Sequence, residues 1–288
     1  LDLVGSSLDN RRRARLFGYG NAVVGVAMLG LAPAVRLILD HDGLAFPNNY
    51  ALLFALAGAL MLATIPFTLF IKELPGGEPR ATVPSLREYL PELGRVLRHD
   101  GPFRAMITAR LLSSLYLMAA PFYIGYGTEV LGMASSVAVS HLLFMQTLGG
   151  VAGALLFSRL GERRTLRFIR IAMGVALAQV TLALIAGALG PAPLYLAFAA
   201  GGFVQGSLGI SFMNWVIIYS TPDQRPIYSG LFNSISAVSL LSAPLIGGTL
   251  VEELGYQAVF VAALMVMAGG LWVALRYVQP PKEAAQPA

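Results

Sequence analysis

The chain contains no cysteine and few charged side chains. None of its 288 residues is cysteine, and only 12% are Asp, Glu, Lys or Arg. The absence of cysteine excludes a disulfide framework, a thiol nucleophile and a thiolate metal site. With 56% hydrophobic residues and a mean hydropathy of +0.69, the composition excludes an ordinary water-soluble domain. It predicts an all-α polytopic membrane protein.

Groups that could support catalysis are also scarce. The only histidines are His41, His99 and His141, which lie in an outer loop, in the linker and at the outer end of the fourth span. The G-x-S-x-G, H-E-x-x-H and phosphate-loop patterns are absent. We therefore predict no enzyme activity, no cofactor and no metal site. The net charge of +5 does not indicate nucleic-acid binding, because the arginines lie in short loops between apolar runs.

Eight apolar runs are long enough to cross a bilayer, which takes about 20 residues. They cover residues 16–39, 50–71, 103–126, 137–158, 168–189, 194–219, 228–250 and 256–278. Eighteen of the twenty basic residues lie at alternate ends of the spans, in segments 9–15, 72–104 and 159–170 and at Arg225, Arg276 and Lys282. Basic residues in short loops stay on the cytoplasmic side. We therefore expect an integral protein of the bacterial inner (plasma) membrane, with both ends of this chain in the cytoplasm.

One long polar loop, residues 72–102, divides the chain. Its second part places apolar residues at three- and four-residue spacing and charges on the opposite side, which predicts an amphipathic linker helix. The predicted organisation is two spans in 1–71, the linker in 72–102, a six-helix bundle in 103–278 and a cytoplasmic tail in 279–288. Because the first residue is Leu1, we expect the chain to be part of a longer protein.

Glycine and proline mark points of close packing and bending. Gly149 and Gly153 leave one helical face without side chains, so a neighbouring helix can approach closely. Pro121, with Gly125 and Gly127, interrupts the third span near its outer end. Such a break serves either a flexible gate or a kinked packing helix.

The basic turn after the fourth span carries a recognisable motif. Residues 154–164 read ALLFSRLGERR. Arg159, Gly161 and Arg163 match the loop signature G-x-L-x-[DN]-R-x-G-R-[RK] of the major facilitator superfamily, whereas Ser158 replaces the usual acid. The seventh span ends in Ala243-Pro244-Leu-Ile-Gly247-Gly248, which is similar to the glycine-proline signature of that family.

These motifs and the topology resemble the C-terminal two-thirds of a major facilitator transporter, helices five to twelve. The resemblance implies a two-bundle secondary transporter working by alternating access, with four N-terminal helices missing from this chain. It implies a small-molecule substrate, a lipid environment and a monomer completed by those helices. Arg159, Gly161, Arg163, Pro121, Pro244, Gly247 and Gly248 would act in gating, and the glycine-proline signature weakly favours export.

Polar residues near the middle of the spans are the candidate substrate contacts, because polar groups inside a bilayer line cavities or pair with one another. Tyr116, Gln146 and Gln205 lie near the midplane on helices that line or flank the cavity by resemblance. Gln179 lies on a peripheral one. Asn214 and Asn233 lie nearer the cytoplasm. Each amide could instead bridge two helices, a bond worth about 0.6 kcal/mol.

Arg110 is the most deeply embedded basic residue. Since it follows Phe103 by about 10 Å of helix, it can reach the cytoplasmic surface by snorkelling, or bind an anion, or act in gating. No Asp or Glu lies in the central part of any span. The sequence therefore predicts a neutral or hydrophobic solute, and a coupling acid, if there is one, outside these helices. The alternative function is a non-transporting scaffold or assembly factor on the same fold.

Overall fold

The computed structural model describes residues 48–69, 94–161, 164–221 and 224–280, with short pieces between residues 19 and 43. All regular structure in this part of the chain is helical. The long helices are α1 (Asn48–Leu69), α2 (Gly101–Val130), α3 (Ser135–Leu156), α4 (Thr165–Leu189), α5 (Ala192–Tyr219), α6 (Arg225–Leu254) and α7 (Tyr256–Arg276).

Helices α2 to α7 supply six candidate membrane spans among the described residues. They correspond to the last six predicted spans and extend several of them by a few residues. Helix α1 covers most of the second predicted span. Its apolar segment among the described residues, Ala51–Pro66, is shorter than the six candidate spans. The first predicted span lies almost wholly outside the described residues. Six of the eight predicted spans are thus found in the part of the chain that the structure describes.

Only the end of the predicted linker helix falls within the described residues. Residues 94–99 are helical, and Val96 and Leu97 pack against the hydrophobic core. Asp100 then begins α2 as its N-cap, since its carboxylate accepts a hydrogen bond of 2.9 Å from the backbone N–H of Phe103. The remainder of the linker, including Pro91, is outside the described part.

Helix α2 changes its winding near the predicted break. An α-helix from Gly101 to Leu115 tightens into a 3₁₀ segment, Tyr116–Ala119, and the span ends in a π-helix, Tyr126–Val130. Pro121 has no N–H to donate to the Leu117 carbonyl, which instead accepts from the N–H of Ala120 at 2.9 Å. The proline therefore tightens the turn that precedes it.

The six spans pack around an aromatic core. Its fully buried side chains include Phe103, Phe157, Phe168, Phe212, Trp215 and Phe260. Helices α4 and α6 each end at a glycine with positive φ, Gly190 at 84° and Gly255 at 82°. Both glycine N–H groups bond to the preceding helical turn. These short turns hold consecutive helices antiparallel.

Tyrosine hydroxyls donate hydrogen bonds to a carboxylate at each end of the bundle. At the end where α2 and α6 begin, Asp100 Oδ1 accepts from the Tyr219 hydroxyl at 2.6 Å and Oδ2 from Tyr228 at 2.7 Å. At the opposite end, the Tyr256 hydroxyl donates to Glu129 at 2.7 Å. One carboxylate thus joins α2, α5 and α6 at the end that the sequence assigns to the cytoplasm.

Candidate functional site

Two of the predicted midplane residues are hydrogen-bonded to each other. The Gln146 amide on α3 donates from Nε2 to Gln205 Oε1 on α5 over 3.0 Å. Gln205 lies near the middle of the 28-residue helix α5, and its side chain is exposed, whereas Gln146 is half-buried. The pair is therefore a polar patch at mid-depth on the accessible surface of the bundle.

Glycines allow the backbones of α3 and α5 to approach closely beside the Gln146–Gln205 pair. A Cβ at Gly202 of α5 would overlap the main chain of Gln146, and a Cβ at Gly206 would overlap that of Gly150. In return, Gly149 and Gly153 of α3 face the main chain of Ala199 and Phe203. The backbones approach closely because both helices carry glycine four residues apart. This confirms the predicted packing role of Gly149 and Gly153.

Arg110 lies among groups from two other helices. Its Nε donates to Ser236 Oγ of α6 over 3.1 Å. The guanidinium carbon lies 5.4 Å from the ring centroid of Phe212 on α5 and 5.2 Å from that of Phe232 on α6. Within the described part of the chain, no acidic side chain pairs with Arg110. Cation–π contact with two rings replaces an ion pair.

The guanidinium extends sideways into the bundle rather than towards the end where α2 begins. Phe103 of α2 stacks with Tyr219 of α5 at 6.4 Å, so these residues mark one level. Arg110 lies seven residues beyond Phe103, and Phe212 lies seven residues before Tyr219. Both therefore lie about 10 Å deeper. The structure thus places the Arg110 guanidinium at the depth of Phe212, between α5 and α6.

Tyr116 and Gln179 form a second polar pair, inside the bundle. The Tyr116 hydroxyl donates to Gln179 Oε1 over 3.3 Å, and the two side chains are 5% and 8% exposed. Gln179 also packs on Gly201. The pair joins α2 to α4 within the six-helix core, so the structure does not place Tyr116 on the accessible face with Gln205.

Asn214 connects α5 to the motif loop. Its Nδ2 donates to Thr165 Oγ1 over 3.0 Å, and Thr165 in turn donates to the Gly161 carbonyl over 2.7 Å. Gly161 ends a π-helix, Phe157–Gly161, and a Cβ there would overlap the Phe157 ring. Asn214 is buried. It therefore supports the loop and does not face a cleft.

The remaining gating candidates lie in different environments. Arg159 is exposed, and Ser158 is buried and donates to the Leu155 carbonyl over 2.7 Å. Arg163 lies outside the described residues. Gly247 packs against the main chain of Met118, whereas Gly248 has open space around it.

Two further candidates on α6 are exposed. Both Asn233 and Pro244 lie on its accessible surface. Asn233 precedes Ser236 by three residues and so lies on the same face of α6 as the Arg110 contact. Pro244 is inside the helix, where it removes one backbone donor.

Several contacts were not anticipated from the sequence. Ser236 and Phe232 as partners of Arg110 depend on the rotation of α6, which no local pattern fixes. Gly202 and Gly206 had a readable signal, the same four-residue spacing as Gly149 and Gly153. Arg170 of α4 donates to the Ala274 and Val278 carbonyls, both at 3.1 Å, and so caps the end of α7.

Comparison with known proteins identifies the family. A family model described as Major Facilitator Superfamily matches residues 134–288, from the start of α3 to the last residue. The Transcription regulatory protein OpdE of Pseudomonas aeruginosa is 26% identical over 285 residues, covering 88% of this chain and 68% of that protein. The family match spans just over half of the chain, and it agrees with the six apolar spans and the motif loop. The chain therefore belongs to the Major Facilitator Superfamily.

Proposed function

We propose that this protein is a secondary transporter that moves a small solute across the bilayer by alternating access of two helix bundles. The observation that carries the proposal is the Gln146–Gln205 pair, with its exposed amide at the middle of a membrane span. An amide in contact with lipid would leave donors and acceptors unsatisfied. Its exposed face therefore belongs to a water-filled or substrate-filled pathway.

The direction and orientation that we propose follow from the sequence motifs. The similarity of residues 243–248 to the glycine-proline signature favours export. Of the described charged residues, Glu129, Glu252 and Glu253 lie at one end of the bundle, and Arg104, Arg159 and Arg225 at the other. We place the basic end in the cytoplasm of a bacterial cell.

The test is uptake by proteoliposomes that contain the full-length protein. The vesicles are incubated with a small-molecule cell extract, and the solutes retained are measured by mass spectrometry against empty vesicles. Because Gln205→Leu and Gln146→Leu remove the polar patch, we expect each to reduce accumulation at least about tenfold, as for loss of a group contacting solute. Thr181→Val is the matched control, since Thr181 is an exposed polar residue of α4 bonded only to its own helix.

A second candidate function is favoured by the name of the similar protein. OpdE is called a transcription regulatory protein, which is compatible with a membrane protein that regulates or assembles without moving solute. The same uptake experiment separates the two functions. A non-transporting protein accumulates no solute above empty vesicles and is indifferent to substitution at Gln146 and Gln205.

A further inference from the structure

We propose that Arg110 binds the anionic group of the transported solute, and that the solute is an amphipathic monoanion such as an organic carboxylate. This inference rests on the proposed transport function and specifies its substrate class. It refines the prediction of a neutral or hydrophobic solute, because it adds one negative charge to an apolar body.

The Arg110 guanidinium has N–H donors that lack a hydrogen-bond acceptor in the described part of the chain. Arginine carries five N–H donors, and within the described residues only Nε has a hydrogen-bond acceptor, Ser236. The described side-chain atoms that are enclosed without a partner are Tyr123 Oη, Tyr126 Oη and Arg225 Nε. The terminal nitrogens of Arg110 are not among them, so the mostly buried guanidinium keeps some exposed surface at those atoms.

Burial of the Arg110 charge inside a membrane span costs free energy. A charge at this depth of a membrane span is expensive unless it is paired or hydrated. The Phe212 and Phe232 rings offset only part of that cost. A carboxylate on the open edge would accept two parallel N–H bonds, the geometry that a guanidinium favours.

The surroundings of Arg110 fit a solute that has one negative charge and an apolar body. Other basic residues of the described spans lie within about two turns of a helix end, leaving Arg110 as the cation of the interior among the residues that the structure describes. Leu240, one turn beyond Ser236, is 57% exposed. Asn233, three residues before Ser236, has an exposed amide. A solute with one anionic end and a hydrocarbon body matches this surface.

The test compares a carboxylate with its uncharged amide. Phenylacetate and phenylacetamide are titrated at constant ionic strength into full-length protein in detergent, and the melting temperature is followed. We expect phenylacetate to bind at least about tenfold more tightly, because charge-assisted hydrogen bonds are worth more than neutral ones. Arg110→Gln should abolish the preference, and Arg110→Lys should weaken it by losing the planar fork.

The control is Arg104→Gln on the same helix. Arg104 donates to the backbone carbonyls of Leu97 and Arg98 at the helix start, so its loss should leave the preference for phenylacetate unchanged. If Arg110→Gln does not fold, Arg110→Lys decides by itself. Equal binding of the two probes, a preference that survives in Arg110→Gln, or one that Arg110→Lys leaves undiminished would overturn the inference.

The uptake experiment separates this inference from the proposed function. If the proteoliposomes accumulate only neutral or cationic solutes, transport stands and the role of Arg110 as an anion site is wrong. If they accumulate no solute at all, the proposed function itself fails. Accumulation of monoanionic solutes, reduced at least about tenfold in Arg110→Gln, supports both.

Discussion

Asp100 joins three helices at the end of the bundle where α2 begins. It caps α2 and accepts hydrogen bonds from Tyr219 and Tyr228. We expect Asp100→Ala to lower the free energy of unfolding by about 2 kcal/mol or more, since it removes a cap and two charge-assisted bonds. Thermal unfolding in detergent measures this change. Glu253→Ala, an exposed acid at the opposite end, is the control, and an equally small effect of both substitutions would contradict the assignment.

Tyr116 tests which polar residues face the pathway. Its hydroxyl is 3.3 Å from Gln179 in the core, so Tyr116→Phe should cost only about 0.6 kcal/mol of stability. Uptake by the proteoliposomes should stay within about twofold of wild type, since no solute contact is lost. Loss of uptake comparable to that of Gln205→Leu would show that Tyr116 contacts the solute after all.

Single residues also show what the sequence could predict. Counting from the ends of the apolar runs located Gln146 and Gln205 at mid-depth, because helix rise fixes depth. It could not show that they contact each other, since that depends on how α3 and α5 are rotated. The same limit applies to Arg110. Its depth was readable, but whether it turned towards the surface or towards Phe212 was decided by packing.

At the scale of helices, the α3–α5 contact depends on glycine. Gly202→Ala would place a methyl group against the main chain of Gln146, and main chain cannot move aside as a flexible side chain can. We expect a loss of about 1–3 kcal/mol, the usual range for overpacking. The Gln146–Gln205 hydrogen bond should weaken as the helices separate.

Gly209→Ala is the matched control on the same helix. A Cβ at Gly209 meets nothing within 4 Å, and alanine favours the helical state over glycine by about 1 kcal/mol. Unfolding in a denaturing detergent should therefore show Gly202→Ala destabilised and Gly209→Ala unchanged or slightly stabilised. The reverse order would contradict the close approach of α3 and α5.

Helix ends were more predictable than helix winding. The basic turns between spans could be read from the sequence, because charged side chains are excluded from the hydrocarbon. The break near Pro121 was also predicted, but not that the tightened turn begins at Tyr116, ahead of the proline. The turn tightens there because Pro121 has no N–H for the Leu117 carbonyl, which accepts from Ala120 instead.

At the scale of the whole molecule, we propose that the face carrying Gln205 opens to water on each side of the membrane in turn. Alternating access requires a central site to be reached from both sides, although not at the same moment. The absence of cysteine from these 288 residues allows one thiol to be introduced and labelled without background from this chain.

The most direct measurement is labelling of Gln205→Cys by a membrane-impermeant methanethiosulfonate reagent, added to either side of oriented proteoliposomes. Met265→Cys, an α7 side chain that is 64% exposed, is the control for a lipid-facing position, where a thiol has no contact with water. Alternating access predicts that Gln205→Cys is labelled from both sides and Met265→Cys from neither. If Gln205→Cys resists the reagent from both sides, its face is closed to water and the protein does not transport by alternating access at this face.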